Sequence, residues 1–242
     1  MRKVLATATT KSTATARATS RTRYSFTAQF LRGSAIFARR AHEIETGNDA
    51  STSEELQSEH LACVVGAITQ AAAALEAEIS EVLIHGPGHH LGSNGINLAA
   101  RDFLMPLAEI IDREPSLERY PLVLHLLGKP TLDRGANPYQ IADLLTRLRN
   151  ELIHYKSRWG EQMDRGKVFS RLEQMKFDKP AFVSKHMNFF PHRSLSASLA
   201  SWSVTTGFEF ITAFYKNLGI ASPLEAQAKY FDVPPPRVLK IE

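Results

Sequence analysis

Apolar residues recur at intervals of three and four along three long stretches of the chain, the spacing that places side chains on one face of an α-helix. The stretches cover residues 54–84, 138–158 and 195–218. No stretch shows the clear alternation of apolar and polar residues that marks a half-buried β-strand. The pattern therefore predicts an all-α fold, a bundle of long antiparallel helices with these three at its centre.

Local signals indicate where these central helices begin and end. Ser53, followed by two glutamates, is a typical helix start, and Gly219 is a typical helix end. The middle helix is expected to start at Asn137-Pro138, with Asn as the cap and Pro at the first helical position, and to end at Gly160. The three helices are thus predicted together with their boundaries.

Shorter helices are predicted around the central three. Residues 24–45 are expected to form one, with its apolar members at Phe26, Phe30, Leu31, Ile36 and Phe37. Others are expected at residues 97–111 and 117–127, where His125 lies in an apolar run and is expected to be a core residue. Residues 85–92 contain three histidines, but no cysteine or acidic residue accompanies them. A surface loop is therefore expected there, and not a metal site.

Charge is unevenly distributed along the chain. Residues 1–42 contain nine lysines and arginines and no acidic residue, although the net charge of the whole chain is only +4. Residues 1–22 lack apolar periodicity and are predicted to be a disordered basic tail or leader, suited to contacting RNA phosphates. The helical domain is predicted over residues 23–219, and residues 220–242 are expected to be a C-terminal tail of uncertain order.

Cysteine usage and hydropathy bear on the compartment. The single Cys63 excludes an intramolecular disulfide and favours a reducing environment. No uninterrupted apolar run reaches the ~18 residues that a membrane span needs, so no membrane partner is expected. The expected location is cytoplasmic. The composition of residues 1–21 also resembles an organelle transit peptide, which keeps an organelle as the alternative.

The strongest candidate for chemistry is the polar side of the middle helix. At about 100° per residue, Asn150 and His154 lie one above the other, and Arg149 lies on the other side of Ile153 within side-chain reach. All three polar residues lie off the apolar face. Histidine can transfer protons near neutral pH, and arginine binds phosphate through a bidentate fork. The pattern is therefore typical of a site that holds a phosphate and moves a proton.

The stretch from Arg149 to Tyr155 resembles the signature of the HEPN superfamily. That signature is an arginine and a histidine separated by four residues, with a polar residue, often asparagine, directly after the arginine. Residues 71–82 are similar to the early helix of HEPN-like proteins of the RiboL-PSP-HEPN type. In those proteins an acidic or amide residue faces the Arg/His pair, a supporting role for which Glu76 is the candidate here, with Tyr155 as the second supporting residue. Glu76 has a second interpretation as a solvated helix carboxylate.

The resemblance implies a HEPN-like helical bundle that acts as a metal-independent endoribonuclease, in a toxin or defence context. The ribose 2′-hydroxyl would attack the adjacent phosphate, with His154 as acid or base, Arg149 on the phosphate and Asn150 beside them. No metal and no other cofactor are expected. The implied partners are RNA, a second copy of the chain that brings two motifs to one cleft, and an antitoxin or regulatory protein.

Two alternatives stand beside this interpretation. The first is a non-catalytic HEPN-like sensor or protein-interaction module, in which Arg149 makes surface ion pairs while His154 and Tyr155 pack at the edge of the bundle. The second concerns a basic and aromatic segment further along the chain, which is expected either to be a plain loop or to contact RNA. Its candidate RNA-contact residues are Lys185, His186, His192 and Arg193.

Overall fold

A computed structural model describes residues 25–47, 53–91, 97–156 and 166–236. The α-helices in these ranges are α1 (Thr27–Thr46), α2 (Glu54–His85), α3 (Leu98–Leu104), α4 (Ala108–Ile111), α5 (Ser116–Leu126), α6 (Tyr139–Ile153), α7 (Lys167–Gln174) and α8 (Ala197–Leu218). Short 3-10 segments occur at His89–Leu91, Met105–Leu107 and Glu225–Tyr230, and a π-type turn occurs at Phe189–Arg193. The described residues contain no β-strand, so the predicted all-α bundle is confirmed.

Helices α1, α2 and α8 form the centre of the bundle, and α5 and α6 pack against α2 and α8. The third central helix is therefore α1, and not α6 as predicted. Small residues allow the central helices to approach closely. The fully buried alanines include Ala35 and Ala38 on α1 and Ala67 and Ala71 on α2. At Gly207 of α8, an added Cβ would lie only 3.1 Å from the Leu31 Cδ1 atom. A larger residue at that position would therefore push α8 away from α1.

The apolar face of α1 differs from the predicted one. Phe26 and Ile36 are each 57% exposed, whereas the buried face is formed by Leu31 together with alanines. Close packing against α2 favours small side chains on the buried face, so Phe30 and Phe37 pack against the core only partly buried, and Phe26 and Ile36 turn outward. On α5, His125 is exposed and not buried as expected.

The boundaries of α6 differ from the predicted ones at both ends. Pro138 occupies the cap position and no side chain caps the helix, so Asn137 does not act as the cap. The helix ends at Ile153, before Gly160, which lies outside the described residues. The backbone N–H of His154 closes the last turn on the carbonyl of Asn150 at 2.9 Å. The candidate motif therefore lies at the C-terminal end of α6 and not in the middle of a helix.

The C-terminal segment packs back on the bundle as far as residue 236. Leu224 is fully buried and Phe231 is 6% exposed. From α1, Arg32 donates a hydrogen bond to the Gln227 side chain at 2.6 Å, and its guanidinium lies 4.1 Å from the centre of the Tyr230 ring. Residues 220–236, expected to be part of a tail, thus belong to the folded unit. The predicted N-terminal tail, residues 1–22, lies outside the described residues.

The length and composition of α2 are sufficient for a membrane span. More than half of its most apolar window is buried inside the bundle, and a core helix meets the same criterion. The apolar character of α2 is therefore explained by its central position.

Candidate functional site

The predicted polar cluster lies where the end of α6 meets α2. Leu144, Leu145 and Leu148 on the inner side of α6 are at most 3% exposed, which anchors the helix to the bundle. On the outer side, the Arg149 side chain is 31% exposed, and Asn150 is exposed. The amphipathic pattern thus turns the motif toward solvent.

Arg149 is held by two neighbours. Its Nη2 lies 3.4 Å from the Glu76 Oε2 on α2, and its Nη1 donates a hydrogen bond to the Asn150 Oδ1 at 3.0 Å. A guanidinium has five N–H donors in one plane, so these two contacts leave donors for an external anion. The structure therefore brings together three predicted site residues, although Glu76 and Arg149 are 73 positions apart in the chain.

His154 follows α6 directly and is exposed. Within the described part of the chain, its imidazole makes no hydrogen bond and no ion pair, and it is not in hydrogen-bond contact with Arg149. His154 follows Arg149 by five positions, which corresponds to a rise of about 7.5 Å at 1.5 Å per residue.

Tyr155 follows the end of α6, and its ring packs at the edge of the bundle. Its ring centroid lies 6.1 Å from that of Phe190, with an angle of 50° between the ring planes. Phe190 in turn stacks on Phe169 at 4.1 Å, and both phenylalanines are 3% exposed. Tyr155 itself remains 45% exposed. The residue therefore fixes the chain after His154 while keeping part of its ring in solvent.

The four candidate RNA-contact residues do not form one groove. Lys185 and Arg193 line a cavity of about 510 Å³ beside the start of α8, whereas His186 and His192 are exposed and lie outside its lining. The acidic residues Glu45 and Asp178 also line this cavity. In addition, Arg193 forms an ion pair with Glu173 at 3.6 Å. The lining is therefore of mixed charge and not a uniformly basic path.

A buried polar cluster at the end of α2 was missed by the sequence analysis. Glu78 is 1% exposed and accepts a hydrogen bond from the Tyr215 hydroxyl on α8. Glu81, one turn further on, accepts the backbone N–H of Phe26 at 3.0 Å, and its Oε2 lies 3.3 Å from the His89 Nε2. The sequence feature that could have indicated this cluster is the pair Glu78 and Glu81, one helical turn apart and followed closely by His89.

His89 is only 4% exposed, so the prediction of a surface loop is wrong at this residue. Gly86 and Gly88 both adopt a φ of +81°, a conformation that glycine reaches without strain. These turns fold the segment back onto α2, where the carboxylate of Glu81 offsets the desolvation of the imidazole. The cluster borders a cavity of about 700 Å³ lined by His89, His90 and residues 221–227. Within the described residues, no group of three His, Cys, Asp or Glu side chains is placed to hold a metal ion.

The two glutamates of the buried cluster have opposite pKa shifts. Burial raises the pKa of Glu78, and the Tyr215 hydrogen bond and nearby His89 offset only part of that effect. Burial also acts to raise the pKa of Glu81, but hydrogen bonds from His89, Ser25 and the Phe26 backbone bring it below its usual value. One carboxyl is thus favoured in its neutral form and the other in its charged form.

Comparisons with protein-family models, with curated proteins and with solved structures found no match for this chain. The fold defines the protein as an all-α helical bundle. Its function is therefore argued from the residues and their geometry.

Proposed function

We propose that the protein is a metal-independent endoribonuclease of HEPN type, with Arg149, His154 and Asn150 as its catalytic residues. The observation that carries the proposal is the end of α6, where Glu76 and Asn150 hold the Arg149 guanidinium and the exposed His154 follows five positions later. A cation for the phosphate and a group that exchanges protons are the two requirements of RNA transesterification. The HEPN-like arrangement of the bundle is part of the same proposal.

In the proposed reaction, RNA supplies its own nucleophile. The 2′-oxygen forms a bond to the adjacent phosphorus while the bond from phosphorus to the 5′-oxygen breaks. The proton of the 2′-hydroxyl passes to a base, and an acid donates a proton to the departing 5′-oxygen. The products are a 2′,3′-cyclic phosphate and a 5′-hydroxyl. Arg149 stabilises the charge that develops on the phosphate oxygens.

One α6 helix provides one histidine, whereas the reaction uses one base and one acid. A homodimer that places two motifs at one cleft would supply both, as the HEPN resemblance implies. Glu76 is proposed as a positioning residue, because its carboxylate restricts the rotamers of Arg149 across the gap between α2 and α6. The resemblance also supports a cytoplasmic toxin or defence role, with an antitoxin or regulatory protein as partner.

A non-catalytic sensor or interaction module is the second candidate function. The observation that favours it is that Arg149 already has two partners within the chain, Glu76 and Asn150. The packing of Tyr155 against Phe190 at the bundle edge is also what a structural role would produce. Cleavage assays separate the two candidates.

The test uses the full chain, a labelled single-stranded RNA and gel analysis of the products. We expect His154→Ala to reduce cleavage by about 10²–10⁴-fold and Arg149→Ala by about 10²–10³-fold. The double variant should be little worse than either single variant, because the two residues act on one transition state. Cleavage should persist in EDTA and should stop when the target nucleotide carries no 2′-hydroxyl.

Matched controls come from the surface of the same bundle. Arg147 is exposed on α6 and pairs with Asp143 at 2.8 Å, so Arg147→Ala should leave cleavage unchanged. His125→Ala removes another exposed histidine and should also have no effect. Cleavage that survives His154→Ala, or that acts equally on DNA, contradicts the proposed mechanism.

A further inference from the structure

The Tyr155 ring is partly packed and partly exposed at the edge of the bundle. It remains 45% exposed although two buried aromatic rings, those of Phe190 and Phe169, lie behind it. Buried aromatic rings thus lie on one side of the Tyr155 ring, and the rest of the ring is exposed to solvent.

Its surroundings match those of a nucleic-acid contact. Tyr155 directly follows His154, so their Cα atoms are about 3.8 Å apart across a trans peptide bond. Lys156, the next residue, is exposed, and Arg149 lies on the preceding turns of α6. Exposed aromatic rings interleaved with cationic side chains are the arrangement that binds single-stranded nucleic acids.

We infer that Tyr155 is a stacking platform for a base of single-stranded RNA, next to the phosphate held by Arg149. The inference rests on the proposed function and names its substrate class. A base is joined to its phosphate through one ribose, so a phosphate between Arg149 and His154 brings an adjacent base to the ring of the following residue. Because every base has a π-face, the platform accepts any of the four bases. Lys156 pairs with a neighbouring phosphate.

Duplex RNA does not fit this platform. In an A-form helix the bases are already paired and stacked on one another, and proteins reach them poorly. A base must be unstacked to lie on Tyr155, which favours loops and single strands. Cleavage should therefore be confined to unpaired nucleotides.

The test measures binding with a non-cleavable probe, a fluorescein-labelled decauridine with all 2′-hydroxyls methylated, titrated with the full chain by fluorescence anisotropy. We expect Tyr155→Leu to weaken binding by about 5- to 150-fold, which corresponds to the 1–3 kcal/mol of one base–aromatic stack. Tyr155→Phe keeps the π-face and should bind within about 2-fold of the wild type. The control is Phe103→Leu, which removes an aromatic ring of 48% exposure on α3 and should leave binding unchanged.

A second readout does not depend on the stability of the leucine variant. In Tyr155→Trp, stacking of a base on the indole should quench its fluorescence on addition of the probe, beyond any change seen in the wild type. The quench should be absent with a blunt duplex RNA of mixed sequence. Equal affinity of Tyr155→Leu and wild type, or a Tyr155→Trp variant that binds the probe without quenching, overturns the inference.

The outcomes also separate this inference from the proposed catalytic activity. If unmodified RNA is cleaved in a manner that requires His154 but not an aromatic residue at 155, the nuclease stands and the platform fails. If no RNA is cleaved but the probe binds with the expected dependence on residue 155, the platform stands and the nuclease fails. Failure of the probe to bind at all counts against the platform.

Discussion

Two glutamates of α2, only two positions apart, occupy opposite environments. Glu76 has a side chain 52% exposed and faces Arg149 at the end of α6, whereas Glu78 is 1% exposed and accepts a hydrogen bond from Tyr215 on α8. Two residues on a helix are rotated by about 200°, so the two carboxylates point to opposite sides of α2. The same residue type thus belongs to a candidate site on one side and to the core on the other.

The two carboxylates differ in how much they affect the free energy of unfolding and in whether their partner is accessible to a ligand. An exposed ion pair contributes only about 0–1 kcal/mol, because water solvates both partners. An incoming phosphate can therefore compete for Arg149 at small cost to the fold. A buried carboxyl must be neutral or hydrogen-bonded, and removing its partner is expensive. The solvent-facing cluster is consequently suited to binding, and the buried cluster is suited to fixing α2 against α8.

The largest effect on stability is expected at Leu148, and the adjacent residue of α6, Arg149, provides the comparison. Leu148 is fully buried, so Leu148→Ala should lower the free energy of unfolding by about 2–5 kcal/mol. Arg149→Ala removes an exposed ion pair and should cost less than about 1 kcal/mol. Urea unfolding followed by circular dichroism gives both values. Equal destabilisation by the two variants would show that Arg149 is structural and would remove the contrast between the two sides of α6.

The second-largest effect on stability is expected in the buried cluster of Glu78 and Tyr215. Tyr215→Phe keeps the ring but deprives the Glu78 carboxyl of its hydrogen-bond donor, which should cost about 1–3 kcal/mol in the free energy of unfolding. Tyr230→Phe, which removes a hydroxyl from an exposed ring, should change stability by no more than about 0.5 kcal/mol. Identical unfolding curves for the two variants would mean that Glu78 does not depend on Tyr215.

The dependence of stability on pH distinguishes Glu78 from Glu81. The pKa of Glu78 is raised on folding, so the stability linked to it is present below the unfolded pKa and is lost as pH rises through the folded pKa. Glu78→Gln cannot ionise, so its free energy of unfolding should improve relative to wild type as pH rises. The measurement is a set of urea unfolding curves across roughly pH 3 to 8.

Glu81 should behave in the opposite sense. Its pKa is lowered on folding, so the stability linked to it is present above the unfolded pKa and is lost as pH falls through the folded pKa. The disadvantage of Glu81→Gln relative to wild type should therefore be greatest at neutral pH and should shrink in acid. Parallel pH profiles for Glu78→Gln and Glu81→Gln would contradict the assignment of opposite shifts.

The smallest effect on stability is expected at Glu76. Glu76→Gln should change the free energy of unfolding by less than about 1 kcal/mol, and high salt should reduce the difference further because the pair is exposed. If Glu76 positions Arg149, cleavage of RNA should still fall, though less than in Arg149→Ala. A loss of stability as large as that of Leu148→Ala would place Glu76 in the core of the fold.

Local sequence patterns were sufficient to locate three of the long helices. The period of apolar residues predicted α2, the body of α6 and α8, and the boundary signals at Ser53 and Gly219 match the observed ends. The Ser53 hydroxyl accepts the backbone N–H of Leu56 at 3.2 Å, and Gly219 adopts a left-handed conformation. Such signals act within a few residues of one another, so they can be recognised without knowledge of the fold.

The same local rules failed where contacts with residues distant in the chain determine the structure. They placed the end of α6 at Gly160, but the helix stops at Ile153, and the Tyr155 ring that follows packs near Phe190. They assigned residues 220–242 to a tail, but Leu224 finds a buried position against the bundle. Both outcomes depend on surfaces formed by other parts of the chain, which a local pattern does not contain.

Local periodicity is enough to predict an amphipathic helical bundle and to place Arg149, Asn150 and His154 off the apolar face of one helix. The sequence left Glu76 either as a partner of the Arg/His pair or as a solvated carboxylate, and the tertiary structure places it 3.4 Å from Arg149. The burial of Glu78, two residues away, against Tyr215 was not predicted from the sequence. Periodicity specifies which face of a helix is buried. Which helix lies against that face depends on close packing between small residues far apart in the chain, such as Ala71 and Gly207.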